Sequence, residues 1–291
     1  MDFKIFNTFL TVTISELGAE IQSIEAADGT QFFWDGNKDI WPKHGPNLFP
    51  YLVSLTDGKY TFEGKTYEMG LHGFVPYSVL SVKDVRDSQI TFELEANEET
   101  SRCYPFRFVY RVTYTLDRNR LVITYTVENY DDKSMYFGIG GHPGFHMPID
   151  PALSFEDYSL TFEKPCIASR ITFSAKNGVT GEIPYPIETG RIALDHRLFD
   201  DNAIVLKGAG HSIKISSEKS PKAIHISFPG MPYVGIWHKP KTQVPFLCIE
   251  PWSSLPSRDG IIEDLSTQEN LVSLAAKENY INTWCMEFIT R

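Results

Sequence analysis

Apolar and polar residues alternate with period two along most of the chain. SQITFELEAN (88–97), FRFVYRVTYTL (106–116), RLVITYTVEN (120–129) and KAIHISFPG (222–230) carry apolar side chains at every second position and are rich in Val, Ile, Thr, Tyr and Phe. A strand turns successive side chains to opposite faces, so the pattern predicts half-buried β-strands. Turn formers separate the runs. Asp117-Arg118-Asn119 predicts a hairpin loop, Glu63-Gly64 after Asp57-Gly58 folds DGKYTFEGKTYEM into another, and Asp28-Gly29 closes an earlier pair. Helical periodicity is nearly absent, and only residues 261–277 (IIEDLSTQENLVSLAAK) are read as one short helical stretch. About eighteen short strands with so little helix predict an all-β, antiparallel sandwich. No linker, charge block or repeat divides the chain, so residues 1–291 are expected to form a single domain.

Composition narrows the function classes. Apolar residues make up 42% and charged residues 22%, which suits a large core and excludes a disordered chain. The net charge of −10 makes a poor partner for phosphate backbones, so no nucleic acid is expected. No apolar run approaches the roughly 20 residues of a membrane-crossing helix. The N-terminus alternates like a strand and lacks a signal-peptide cleavage site. The four cysteines (Cys103, Cys166, Cys248, Cys285) form no CxxC pair, which argues against a disulfide framework or zinc cluster and for a cytoplasmic protein with free thiols. Aromatic residues at 13% suit both strands and sugar-stacking surfaces.

The candidate chemistry lies where the alternation breaks: WPKHGPNLFP (41–50), GLHGF (70–74), GIGGHPGFHMP (138–148) and FLCIEPW (246–252). Glu250 ends an apolar run that reads as a buried strand. It is either an exposed strand-end residue or a semi-buried acid whose raised pKa suits a general base. Trp252 beside it offers a flat apolar face of the kind that sugars stack on. His142 follows three glycines and precedes Gly144, and four glycines in seven residues permit close backbone approach or positive φ. It is either a proton donor or acceptor near neutral pH or a loop histidine bonded to backbone. His142 and His146 would pair as metal ligands on a helix, but the glycines and Pro143 oppose a helix, so no metal is expected. His72 lies between Gly70 and Gly73. His44, His196, His211, His225 and His238 have no distinctive context. No P-loop, GxSxG or dinucleotide fingerprint is present, which disfavours a nucleotide cofactor.

Taken together and in order, GAEI (18–21), WPKHGPNLFP, DGKYTFEGKTYEMGLHGF, GGHPGF and CIEPW resemble the aldose 1-epimerase (mutarotase) family, in particular its LacX-type branch, over nearly the whole chain. The resemblance implies a galactose mutarotase-like β-supersandwich with very little helix. It implies interconversion of the α and β anomers of galactose, glucose or a related free aldose, without cofactor. Glu250 matches the family's catalytic base, His142 its acid, and His72 the histidine that orients the sugar. Opening a hemiacetal takes a proton from the C1 hydroxyl and delivers one to the ring oxygen, which a carboxylate and a protonated imidazole flanking that bond can do together.

The sugar-binding shell departs from the family. Relatives carry a G-R-L stretch after L-F-P, and here Ser54 stands where the arginine is expected. Relatives place Asp before Ala in L-F-x-x-D-A, and here Asn202 occupies that place with Asp201 beside it. Ser54, Asn202, Asp201, His72 and Trp252 are therefore the expected substrate contacts, and the altered shell bears on which sugar is used more than on the reaction. The competing readings are a catalytically silent carbohydrate-binding or regulatory protein and a hexose-phosphate epimerase. The expected partner is a small sugar, with no membrane and a monomeric or homodimeric state.

Overall fold

The computed structural model describes residues 1–291 and contains twenty-four strands, one short α-helix (Glu98–Cys103) and four 3₁₀ turns. The alternation is realised as expected. Strands Phe108–Asp117 and Arg120–Asn129 bury every second side chain and pair antiparallel across the Arg118-Asn119 turn. They form the middle of a nine-stranded sheet with Gln89–Glu95 and Ser81–Arg86 on one side and Asn279–Ile289, Ser220–Ser227, Ser212–Ser217, Ser159–Phe162 and Arg191–Ala193 on the other. The hairpin Lys59–Phe62/Lys65–Glu68 turns at Glu63-Gly64, both with positive φ.

A second, eight-stranded antiparallel sheet runs Val179–Ile187, Cys166–Phe173, Ile204–Lys207, Tyr233–Trp237, Phe246–Trp252, Gly140–Gly141 and Asn47–Leu48, with Gly144–His146 also pairing to Phe246–Trp252. Its Leu247, Ile249, Val234 and Ile236 join Phe92, Tyr110, Tyr125 and Trp284 of the nine-stranded sheet in one core. Three further strands (Asp2–Phe6, Leu10–Ser15, Ile21–Ala26) form a small sheet that adds Ile5, Val12 and Ile24 to that core. The fold is thus an all-β supersandwich. No helix is long and apolar enough to cross a membrane, and all four cysteines are free.

The helical expectation for 261–277 fails. The segment forms turns and the short strand Val272–Leu274, which pairs with Met135–Phe137. Long-range partners take its backbone polar groups: Leu265 N donates to Thr61 O, and Glu263 O accepts from Thr61 N. Asp264 starts a single turn by accepting from Gln268 N, but no helix propagates, because tertiary contacts outweigh weak local propensity.

Candidate active site

The strand Phe246–Trp252 is buried along its whole length, because both of its faces are covered. Its odd-numbered Leu247 and Ile249 enter the sandwich core. Its even-numbered side chains point the other way. Phe246 and Cys248 pack with Trp34 and against Trp41 and Trp237, Trp252 packs with Leu48, Leu52 and Val205, and Glu250 stands between them. Period two therefore lifts one carboxylate out of an apolar strand onto the outer face of the sheet. The neighbouring strand presents Gly235 directly opposite Glu250, where a Cβ would lie 3.3 Å from that of Glu250. Glycine there leaves the carboxyl its space.

His142 Nε2 lies 3.2 Å from Glu250 Oε2, and both residues are buried. Burial pushes the Glu250 carboxyl well above its ordinary value of 4.5. The approach of the Trp252 indole N–H partly opposes this, although that N–H makes no hydrogen bond of good geometry within the chain. Burial also holds His142 well below 6.5, and nearby His72 adds to the effect. Both shifts favour the uncharged forms, a protonated carboxyl beside a neutral imidazole. That neutral pair holds the same number of protons as a carboxylate beside an imidazolium. His142 Nδ1 has no partner in the chain, so nothing fixes its tautomer from the far side of the ring.

The glycine run works by close approach, since Gly138, Gly140, Gly141 and Gly144 all lack positive φ. A Cβ on Gly140 would fall 2.6 Å from Pro251 O, and one on Gly144 2.8 Å from the Trp41 ring. His142 N donates to Pro46 O at 3.0 Å, which binds this strap to the 41–50 segment. Two buried polar residues anchor that segment in turn. Glu20 accepts from His44 N (2.7 Å) and Gly45 N (3.2 Å). Asn47 donates to Gly18 O, Ala19 O and Tyr114 Oη, while its Oδ1 accepts from Tyr125 Oη. Trp41 is thereby held with its ring 5.0 Å from that of His142.

The pair forms the floor of a cavity of ≈ 320 Å³. Trp41, Trp237, Trp252, Phe173 and Val205 supply aromatic and aliphatic walls, and Val53, Leu71, His72, Asn177, Asn202 and Ala203 complete the lining. The sequence signals thus converge for His142, Glu250, His72, Trp252 and Asn202. Ser54 and Asp201 do not line this cavity. Ser54 opens onto a neighbouring hollow with Lys176, Ser257 and Asp259, because Val53 takes the position on the cavity wall. Asp201 and Asn202 are both exposed, and of the two only Asn202 reaches the cavity.

Ten non-glycine residues have left-handed φ, and four of them line the cavity: Val53 (+55°), His72 (+62°), Asn177 (+63°) and Asn202 (+82°). Such backbone costs of order 1–3 kcal/mol each and gathers at functional sites. Val53 and His72 hold each other: His72 N donates to Val53 O (2.8 Å) and Val53 N donates to His72 Nδ1 (3.1 Å). His72 Nε2 therefore carries the ring hydrogen, and burial lowers the pKa of this imidazole to about 4. Asn202 Nδ2 donates to Asn177 Oδ1 at 3.0 Å.

Trp237 and Asn177 carry no mark in the chain strong enough to single them out, and Trp41 is marked only as the first residue of the 41–50 segment. For Trp237 the one available signal is YVGIW, a short alternating run before FLCIEPW, and for Asn177 it is the Asn-Gly turn. His142, Glu250 and Cys248 bring three possible metal-ligating atoms within 4.8 Å of one another. The Cys248 thiol is buried below the cavity wall and pushed well above its ordinary value, which opposes the thiolate a metal needs. His146 faces a different hollow beside Asp28 and Lys222, so it stands apart from His142. His225 is partly exposed near Glu287. His196 and His238 form a pair at 3.0 Å behind Trp237.

Comparison with known proteins shows the family and the fold. The profile of the aldose 1-epimerase family matches residues 2–263. Protein LacX (chromosomal) of Lactococcus lactis subsp. lactis is 29% identical over 96% of this chain and 98% of its own. The structure of a galactose mutarotase related enzyme from Lactobacillus acidophilus superposes with TM-score 0.95 at 33% identity, covering 99% of this chain and 97% of the other. A galactose mutarotase-like protein from Lactobacillus casei superposes with TM-score 0.92 at 32% identity, covering 99% and 100%.

Proposed function

Since the chain belongs to the aldose 1-epimerase family, we propose that it interconverts the α and β anomers of a free, uncharged aldose, with Glu250 as base and His142 as acid. The observation that carries this reading is the buried His142–Glu250 pair, 3.2 Å apart on the cavity floor. The two oxygens of a hemiacetal sit on one carbon. An acid and a base side by side can therefore address both, one taking the proton of the C1 hydroxyl and the other protonating the ring oxygen.

The protons balance within the pair. Starting from carboxylate and imidazolium, Glu250 accepts the O1 proton while His142 gives its proton to O5. The C1–O5 bond breaks and the open-chain aldehyde forms. The enzyme is then left with a protonated carboxyl and a neutral imidazole, the forms that burial favours. Rotation about C1–C2 presents the other carbonyl face, and the reverse transfers close the ring to the opposite anomer. Sugar hydroxyls that hydrogen-bond the carboxylate offset the cost of re-forming the charged pair.

A matched acid and base favours an enzyme over a silent binding protein, because binding requires neither. No Lys or Arg lines the cavity, which disfavours a hexose phosphate. The test is polarimetry of freshly dissolved α-aldoses, with and without a 6-phosphate. Faster equilibration of neutral sugars supports the reading. A protein that accelerates no aldose, or only the phosphates, refutes it.

A further inference from the structure

Trp252 follows Glu250 by two residues, so period two puts both side chains on the outer face of the same strand. The indole lines the cavity, yet its Nε1 is buried and makes no hydrogen bond in the chain. A buried donor without an acceptor is costly, so this one needs a partner. Two glycines on the flanking strands show where the ring edge runs. A Cβ on Gly140, directly opposite Trp252, would lie 3.0 Å from Trp252 Cδ1. A Cβ on Gly235, directly opposite Glu250, would lie 3.2 Å from Trp252 Cζ2 and 3.5 Å from Glu250 Cδ. The ring atoms between Cδ1 and Cζ2 along that edge are Nε1 and Cε2. The N–H edge therefore crosses the strand diagonally, close against the sheet and toward the position from which the Glu250 carboxyl rises.

The groups that titrate around this carboxyl are His142 on the glycine strap, His72 on its turn and Cys248 on the same strand. No Lys or Arg lines the cavity, so no fixed cation supports the carboxylate form. The indole N–H is the unused donor beside it. A neutral carboxyl is a weak acceptor and leaves that N–H free, whereas a carboxylate takes it in a charge-assisted bond.

We propose that Trp252 is a positioning residue for the reaction: its Nε1–H closes on the Glu250 carboxylate and holds it in the charged form that accepts the O1 proton. The proposal rests on the mutarotase reading above and adds one residue to it. The bond favours the carboxylate–imidazolium pair, from which ring opening starts, over the neutral pair. Two replacements separate the N–H from the ring. Trp252→Phe removes the N–H and part of the ring. Replacing Trp252 by benzothienylalanine keeps the bicyclic shape and puts sulfur where the N–H was. A hydrogen bond to a charged group is lost in both, so kcat is expected to fall about 10- to 150-fold, with KM little changed in the isosteric variant. The acid limb of the pH profile should stay in place, because neither form that it connects carries a carboxylate. In the free protein, infrared titration of the carboxyl band that Glu250→Gln deletes should show Glu250 ionising about 1–2 pH units higher in the isosteric variant. A kcat within about threefold of wild type in the isosteric variant overturns the proposal, and so does a loss confined to Trp252→Phe, which would mark packing alone. Acceleration of no aldose by the wild type refutes the mutarotase reading, whereas the infrared titration, which needs no turnover, still decides whether the indole holds the carboxylate. An unchanged titration overturns the proposal in either case.

Discussion

Replacing Glu250 by glutamine separates the two things this carboxyl does: it serves the reaction and it burdens the fold. Glutamine keeps the size, and its amide can donate to His142 Nε2, so no polar atom is newly orphaned. It cannot accept the C1 proton. Loss of one general acid–base partner costs about 10²–10⁴ in rate, or about 2.7–5.5 kcal/mol of barrier. Stability should move the other way. The folded Glu250 pKa is raised by burial, so between 4.5 and the folded value the unfolded chain ionises this group and the folded chain does not. Wild-type stability from this carboxyl is thus fully present below 4.5 and lost as pH rises toward the folded pKa, at about 1.4 kcal/mol per pH unit. Glutamine has no such loss. The variant's advantage over wild type should be near zero at about pH 4.5 and grow toward neutrality, by about 2 °C in Tm for each kcal/mol at this chain length. Polarimetry gives the rate, and thermal unfolding at several pH values gives the stability difference. Near wild-type turnover refutes the role as base. A Tm deficit that widens with pH refutes the buried, proton-retaining carboxyl.

Four further outcomes follow from the same geometry. His142→Asn should lower kcat on the scale of Glu250→Gln, while His146→Asn, facing another hollow, should change it less than about threefold; equal damage from both in the same assay would contradict the assignment. The pH profile of kcat/KM should be bell-shaped, with its plateau where the pair holds one proton more than a carboxylate beside a neutral imidazole. Its acid limb should fall below 6.5, where the lowered His142 takes a second proton, and its alkaline limb should lie above 4.5, where the raised Glu250 gives up the last one; an acid limb centred above 6.5 would contradict this. Glu20→Ala strips the acceptor from His44 N and Gly45 N, which should cost about 2–5 kcal/mol in chemical denaturation and raise KM by loosening Trp41; a loss below about 1 kcal/mol would show that water replaces the carboxylate. Asn202→Asp replaces a neutral acceptor at the cavity by a charged one, so KM for galactose should fall severalfold with kcat little changed, and an unchanged KM would show that this position does not touch the sugar.

The sheets were legible because period two survives in nearly every strand, and the reactive pair because it interrupts that period. Glu250 ends an otherwise apolar strand, and His142 interrupts a glycine strap that only close approach can explain. The walls were harder to read. Trp41 lies in an irregular segment fixed by Glu20 and Asn47, and both partners act across many residues of sequence. Only the family resemblance points to Ser54 and Asp201, and a one-residue difference in which side chain reaches the cavity leaves both off its lining. Val53 shows why. It adopts φ +55°, a conformation that suits the glycine of the relatives' G-R-L stretch, and in holding it the chain gives that wall position to an aliphatic side chain. The stretch 261–277 misled because its apolar spacing resembles a helix turn while its hydrogen-bond partners lie elsewhere in the fold.

Glu250 shares its strand with Leu247 and Ile249, one face for chemistry and one for the core. A slip of one residue in that strand would carry leucine and isoleucine into the cavity and the carboxylate into the sandwich, so a chain that loses the reaction this way loses its fold as well. Val53, His72, Asn177 and Asn202 stand on turns with no such tie. Over evolutionary time the capacity to open a hemiacetal should therefore persist wherever this sandwich persists, while the turns drift and the sugar drifts with them. Exchanging those turns between relatives should exchange their preferred sugars and leave the reaction unchanged.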